Sequence, residues 1–197
     1  MSSVLLAMER FVPEAGEAAL TNPVLSSLSR PQLEELVVDL SKRWLAHDGL
    51  WFQAVEADRG MPTAIRYDTT AWATFTVLEA KRILEFLGLP PGGGLEALEQ
   101  ALPLRLYGFV NTQEVIRVDA HTLVLRMNNC RVQSARSRRG LAAFPCKSVG
   151  EVEYAEFARA IDPRIRTRCL VCPPDPHPTD FYCAWEFFLP AGATAGS

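Results

Sequence analysis

RIRTRCLVCPPDPHPTDFYCAWEFFL, residues 164–189, carries three of the chain's five cysteines, and its reading decides the fold. Ile165, Thr167, Cys169 and Val171 alternate with Arg164, Arg166, Arg168 and Leu170; Phe181, Cys183, Trp185 and Phe187 alternate with Tyr182, Ala184, Glu186 and Phe188. A period of two marks a half-buried strand, because successive side chains point to opposite faces of a sheet. The Pro-rich segment 173–180 closes the two strands into an antiparallel hairpin. In that hairpin Cys169 is expected opposite Cys183 on the apolar face, with Cβ atoms about 5 Å apart.

Working outward, the segments 104–110, 114–118 and 122–127 are also β-like, with a tight turn at 119–121 between the last two. Helical spacing dominates before them. Ser29, Arg30 and Pro31 open a helix whose apolar stripe is Leu33, Val37, Leu40, Trp44, Trp51 and Val55, with His47 inside the stripe and Gly60 as the stop. Asp68 is the expected N-cap of a second long helix, striped by Trp72, Phe75, Glu79, Ile83 and Phe86 and ended by Gly88. A short third helix lies at 95–102. After the β segments, Cys130 opens an Arg-rich helical stretch at 131–139, Cys146 sits in a loop, and 149–161 is amphipathic up to Asp162 and Pro163. The expected fold class is α+β, an antiparallel sheet of two hairpin-like units covered on one face by helices. The expected organisation is an N-terminal arm over 1–29, one globular domain over 30–189 and a disordered tail over 190–197.

A chain of 197 residues, 48% hydrophobic and 22% charged, buries a full core. No apolar run is long enough to span a bilayer, and Glu9 and Arg10 cut short the only apolar run near the start, so a cytoplasmic protein without a signal peptide is expected. Five cysteines, an odd count, argue against a disulfide framework. The net charge of −3 is unevenly spread: from residue 126 to residue 168 ten Lys/Arg face four Asp/Glu, a local +6. Such a segment attracts an anionic small molecule or compensates a metal–thiolate centre. It lacks the interleaved aromatics of a nucleic-acid surface, so neither nucleic acid nor membrane is an expected partner. The oligomeric state stays open, a homodimer included.

Four thiolates suit zinc in a tetrahedral site and equally suit an iron–sulfur cluster. Cys169 and Cys172 form a C-x2-C pair, the hairpin returns Cys183 to them, and Cys146 or Cys130 is the fourth candidate ligand. The other readings are small apolar core residues or a redox pair. A 4Fe-4S cluster is favoured, with zinc as the alternative, because the basic segment balances a net-negative cluster. Cys130, ahead of an Arg-rich helix, is also a candidate nucleophile, since a helix N-terminus and nearby cations stabilise thiolate. Glu79 lies on an apolar stripe, where carboxylates need a partner. With the two long helices antiparallel, His47 and Glu79 face one pocket walled by Trp44, Trp51, Trp72 and Phe75. Arg131 and Arg136 are the candidate carboxylate binders and Trp51 a candidate substrate contact.

Six blocks carry a family resemblance: AHDGLWF (46–52), EAKRI (79–83), RMNNCRVQSAR (126–136), FPCKSVGEVEYAEFARAIDPRI (144–165), TRC-x2-CPPD-x-HP (167–178) and YCAWEF (182–187). They resemble a bacterial and archaeal family of cytosolic proteins of uncharacterised activity, over roughly residues 29–189. That family is remotely similar to 2-aminothiazoline-4-carboxylate hydrolases and to 4-vinyl-reductase-type small-molecule domains, chiefly through Cys130 and Cys183. The resemblance implies an α+β domain with helices on one side of an antiparallel sheet. The 169/172 pair is not part of the thiazoline-hydrolase pattern. The residues and the resemblance together lead to the expectation of an enzyme cleaving C–N or C–S bonds in a small anionic molecule. Cys130, His47 and Glu79 are its catalytic candidates. The alternative is a non-catalytic binding module with a structural zinc.

Overall fold

In the computed structural model, which describes residues 22–190, Ser29 and Gln32 open the first long helix by a local cap. The Gln32 Oε1 atom accepts from both the backbone N–H and the hydroxyl of Ser29, each at 2.9 Å. This helix, α1, runs Arg30–Arg59 after a short 3-10 turn at Pro23–Ser27. The chain divides into two units inside α1, after Asp39, rather than ahead of the helix. Up to Asp39 the described part is the 3-10 turn and the first turns of α1. The unit from Leu40 onward holds the remaining helices and all the strands. The expected arm and tail lie outside the described residues, apart from 22–29 and Pro190. Among the described residues no helix is long and apolar enough to cross a membrane.

Gly60, at φ 79°, breaks α1, and α2 starts at once as Met61–Leu87 with Pro62 in its first turn. The expectation that Asp68 caps this helix is therefore corrected: Pro62 fits the first turn, where no N–H is needed, and Asp68 sits inside the helix. Leu89 N–H to the Leu84 carbonyl, 3.0 Å, closes the far end around Gly88 at φ 66°. Helix α3 is Gly94–Ala101, started by a buried Asp162 carboxylate that accepts from Gly94 N–H at 2.9 Å.

Residues 104–110 are not a strand. They form 3-10 turns, Leu102–Leu104 and Leu106–Phe109, because Pro103 opens one turn and Gly108 folds back onto it. A Cβ on Gly108 would stand 2.3 Å from the Pro103 carbonyl oxygen. The guanidinium of Arg105 is drawn inward by the carboxylates of Glu79 and Glu153, a tertiary interaction that overrides strand propensity.

The sheet has four antiparallel strands in the order β1-β2-β4-β3: β1 Thr112–Asp119, β2 Thr122–Asn129, β3 Arg166–Val171 and β4 Cys183–Phe188. Two hairpins, β1–β2 and β3–β4, meet along β2 and β4. Helices α4, Arg131–Arg138, and α5, Lys147–Ile161, lie between the hairpins in sequence. The fold is α+β with helices packed on the sheet, as the patterning predicts. On the covered face Leu123, Leu125, Met127, Trp185 and Phe187 pack against Leu84 and Leu98 and against Phe157 and Ile161 of α5. Gly150 lets α5 ride directly on the indole of Trp185: a Cβ there would meet Cζ2 at 2.6 Å. The other face carries cross-strand ion pairs, Glu114 with Arg126 and Glu186 with Arg168, the polar pattern of a solvated face.

The register corrects one expectation. Cys169 lies opposite Trp185, not Cys183, and a β-bulge between Cys169 and Val171 displaces the pairing beyond it. Cys183 pairs with Met127 of β2.

Candidate functional site

Four cysteines end up at the tips of elements. Cys130 precedes α4, Cys146 precedes α5, Cys172 comes directly after β3 and Cys183 opens β4. All four line one compartment of about 70 Å³, together with Trp72, Tyr107, Glu153 and Trp185. All are free thiols. The Sγ atoms of Cys146 and Cys172 are 3.6 Å apart. Gln133 Nε2 approaches Cys146 Sγ at 3.6 Å while its amide brackets the Phe144 backbone, donating to the carbonyl at 2.7 Å and accepting from the N–H at 3.1 Å. The contact with Cys172 is the main cause that lowers the Cys146 pKa, against the opposing effect of burial. Cys172, between Cys146 and Cys183, is pushed in the opposite direction by both neighbours. Burial holds the Cys130 thiol up at about 12.

A single zinc ion holds thiolates at about 2.3 Å, so two of them on a tetrahedron stand about 3.8 Å apart. The Cys146–Cys172 pair is close to that spacing. Among the described residues no three His, Cys, Asp or Glu side chains are gathered tightly enough to hold an ion as they stand. Cys169, an expected ligand, is not in the compartment; it packs on the core from β3, and burial raises its thiol to about 11.

A second, wider cavity of about 320 Å³ adjoins the first and shares Asp68, Tyr107, Val132 and Phe144 with it. Its wall combines Leu45, Phe52 and Leu141 with Lys42, Arg131, Arg136, Arg138 and Arg139. Arg136 is buried and engaged: it makes a two-pronged ion pair with Glu56 at 2.7 and 2.8 Å and donates to the Ala142 carbonyl at 2.7 Å. Lys42, Arg131 and Arg138 carry no ion pair among the described residues. Asp48 and Asp68 enter the same cavity. Burial, reinforced by the charges of Asp48 and Glu153, lifts Asp68 to about 7, while a hydrogen bond from Trp72 opposes the shift. Burial also raises Asp48, against the charge of His47.

Residues 26–189 match the model of a family of unknown function, DUF6125. The chain belongs to that family. No curated protein and no solved structure matches it. The DUF6125 segment contains every residue lining either cavity.

Within that DUF6125 segment, His47 and Glu79 are not partners. His47 is exposed and stands edge-on to the Trp51 ring, 6.5 Å between centroids. Glu79 is buried and held by Arg105, Nε to Oε2 at 2.9 Å, and by the Leu106 N–H at 2.9 Å. Arg105 also reaches Glu153 Oε1 through Nη2 at 2.6 Å. The buried acid thus finds its cation in a segment that reads as a strand. Trp51 is 64% exposed and lines neither cavity. Of the two arginines expected to bind a carboxylate, Arg131 lines the wider cavity with no ion pair among the described residues and Arg136 is already engaged by Glu56. The residues that sequence reasoning misses are Asp48, Asp68, Arg105, Tyr107, Gln133 and Glu153. Glu153 has a visible signal: in 149–161 it shares a helical face with Val149, Phe157 and Ile161.

Proposed function

We propose that the protein is a cytosolic metal-dependent enzyme that cleaves a C–N or C–S bond in a small anionic molecule, with the metal in the four-cysteine compartment. The observation that carries this reading is that Cys130, Cys146, Cys172 and Cys183 line one compartment beside a cationic cavity. Cys146, Cys172 and Cys183, linked through Cys172, would hold the ion, leaving Cys130 as the residue whose participation would close the site. The Cys146–Cys172 spacing favours zinc, because in an iron–sulfur cluster each sulfur binds its own iron and the sulfurs stand farther apart. The basic surroundings favour the cluster.

When bound, the metal supplies a Lewis acid that polarises a carbon–nitrogen or carbon–oxygen double bond. The chain's own residues supply the rest. Arg131, Arg138 and Lys42 hold the substrate's anionic group, while Phe52 and Phe144 exclude water. Asp68, whose carboxyl titrates near neutrality, donates or accepts the proton between the two cavities.

Metal analysis of protein purified without oxygen tests the reading. About one zinc per chain is expected, lost in Cys146→Ser and Cys172→Ser and kept in Cys169→Ser. Iron with acid-labile sulfide and visible absorption would replace zinc by a cluster. Metal-free protein that is folded and turns over thiazoline carboxylates would sink the metal reading. A fully loaded protein that turns over no heterocyclic carboxylate, with Cys130 bound as fourth ligand, leaves the binding module with a structural zinc.

A further inference from the structure

The C-x2-C spacing pairs Cys172 with Cys169, yet Cys169 stays outside the compartment and the fold supplies another partner. Cys146 Sγ lies 3.6 Å from Cys172 Sγ, and both are free thiols. Contacts beside the two cysteines hold them in place. Lys147 donates its backbone N–H to the Pro173 carbonyl at 2.9 Å, which ties the residue after Cys146 to the residue after Cys172. Lys147 Nζ also forms an ion pair with Asp175 at 2.6 Å, and the Asp175 N–H donates to the Cys172 carbonyl at 3.0 Å. The start of α5 is thus fastened to the end of β3 without any bond between the sulfurs. A disulfide holds its sulfurs about 2.05 Å apart, so closure needs an approach of about 1.5 Å. A small rotation of each side chain about its Cα–Cβ bond supplies it.

Both cysteines line a space of about 70 Å³, the share of roughly two water molecules, which suits an oxidant as small as hydrogen peroxide. Cys146 is half-buried and Cys172 is 2% exposed, so Cys146 is the sulfur that such an oxidant meets first. We propose that Cys146 and Cys172 form a dithiol that reduces a small hydroperoxide, closing to a disulfide between the start of α5 and the end of β3. The Cys146 sulfur attacks one oxygen of the peroxide, and the O–O bond breaks. That oxygen stays on sulfur as a sulfenic acid, and the other leaves as water, carrying the Cys146 proton. The Cys172 sulfur then attacks the sulfenic sulfur and expels its oxygen as a second water, which carries the Cys172 proton. Two thiols thus give up two electrons, and one hydrogen peroxide becomes two waters. The dithiol goes beyond the proposed function and does not rest on it. One consequence does: sulfurs joined in a disulfide no longer offer thiolates, so the oxidised chain takes up no metal in this compartment.

The test treats the reduced full chain with hydrogen peroxide in the presence of a zinc chelator, then alkylates it in denaturant. Free glutathione in a parallel reaction sets the clock. By the time the glutathione is oxidised, two of the five thiols are expected to be lost to alkylation and regained with dithiothreitol. Digestion with trypsin and endoproteinase Asp-N leaves Cys146 alone in the peptide 140–147, puts Cys169 and Cys172 in 169–174, and separates Cys183 from both. Mass spectrometry is expected to find 140–147 joined to 169–174, and Cys169→Ser is expected to keep that bridge. Fragment spectra of the wild-type peptides place the bond even where the variant fails to fold. In Cys172→Ser the reaction is expected to stop at a Cys146 sulfenic acid, captured by dimedone. A bridge from Cys172 to Cys183, a bridge between two chains, or five alkylated cysteines when the glutathione is spent would each overturn the inference. Metal is scored separately. A Cys146–Cys172 bridge formed in protein that held no metal leaves the dithiol standing without the metal reading, and a missing bridge refutes the dithiol alone.

Discussion

Arg105→Met removes a cation that pairs with two buried carboxylates, and the cost is set by the ion pairs and ring contacts it breaks at once. The guanidinium is 3% exposed, bonded to Glu79 and Glu153, and stacked over Trp72, Tyr154 and Phe157 at 5.8, 5.2 and 4.7 Å. Burial disfavours its charge, yet Glu79 and Glu153 hold it protonated above the ordinary arginine range. Deleting one partner of such a cluster costs about 3–5 kcal/mol, because the remaining charge stays buried and unpaired. Loss of the ring contacts adds about 0.5–1 kcal/mol, and Met recovers most of the packing. The expected loss is about 4 kcal/mol at pH 8, a large share of the roughly 5–15 kcal/mol typical of a domain.

The pH dependence has a definite sign. Glu153 is already raised by burial and rises further without Arg105, so the folded variant binds its proton more tightly than the unfolded chain. Its deficit is therefore largest above the folded pKa and shrinks as pH falls toward the ordinary Glu value. The triple variant Arg105→Met, Glu79→Gln, Glu153→Gln buries no charge and keeps a side-chain amide oxygen at position 79 to accept from the Leu106 N–H; it is expected within about 2 kcal/mol of wild type. Urea unfolding monitored by far-ultraviolet circular dichroism, at about pH 5.5 and 8, measures all three proteins. A single variant within about 1 kcal/mol of wild type at pH 8, or a triple variant no better than the single, would refute the reasoning.

Other substitutions test other parts of the fold. Gly150→Ala gains about 1 kcal/mol of helix propensity but drives a Cβ to 2.6 Å from Trp185; a net loss of about 1–2 kcal/mol and a changed near-ultraviolet tryptophan signal are expected, and stabilisation would contradict the packing. Asp68 has its folded pKa raised from 3.8 to about 7, so wild type loses stability as pH rises through that window. Asp68→Asn escapes the loss; its advantage over wild type should grow from about pH 4 to about pH 7, then level off at about 1–2 kcal/mol, well below the unscreened maximum because the carboxyl is partly exposed. Asp162→Ala deletes the acceptor of the Gly94 N–H and the ion pair with Arg164 at 2.6 Å, and thermal unfolding should register a loss of about 2–3 kcal/mol.

The two hairpins and the long helices are legible in the sequence because their signals are local: period two in 166–171 and 183–188, helical spacing elsewhere, glycines at 60 and 88. The illegible parts depend on contacts distant in sequence. Residues 104–110 look like a strand until Glu79 and Glu153 draw Arg105 inward. Asp68 looks like a cap because its own neighbours carry no sign that Pro62 begins the helix earlier. The cysteines show the same division. Spacing groups Cys169 with Cys172, but the bulge after Cys169 leaves it on the strand against the core, while Cys172 leaves the strand and meets Cys146. Cys130 and Cys146 read as alternatives for one place, and both line the compartment. The acid on the α2 stripe does need a cation, as its burial demands; which cation answers is a matter of topology.

Because the four compartment cysteines come from the tips of four separate elements, no fragment of the chain reproduces their meeting. Where a metal or ligand fills the compartment they line, Cys172 and Cys183, 2% and 9% exposed, become available to an alkylating reagent only when the surrounding fold opens. Their labelling rate is then the opening equilibrium multiplied by the intrinsic thiol rate, as in amide exchange from a protected core. Damage to these sulfurs by electrophiles or peroxides is limited by the same equilibrium, so any substitution that weakens the α5–sheet contact also shortens their chemical lifetime.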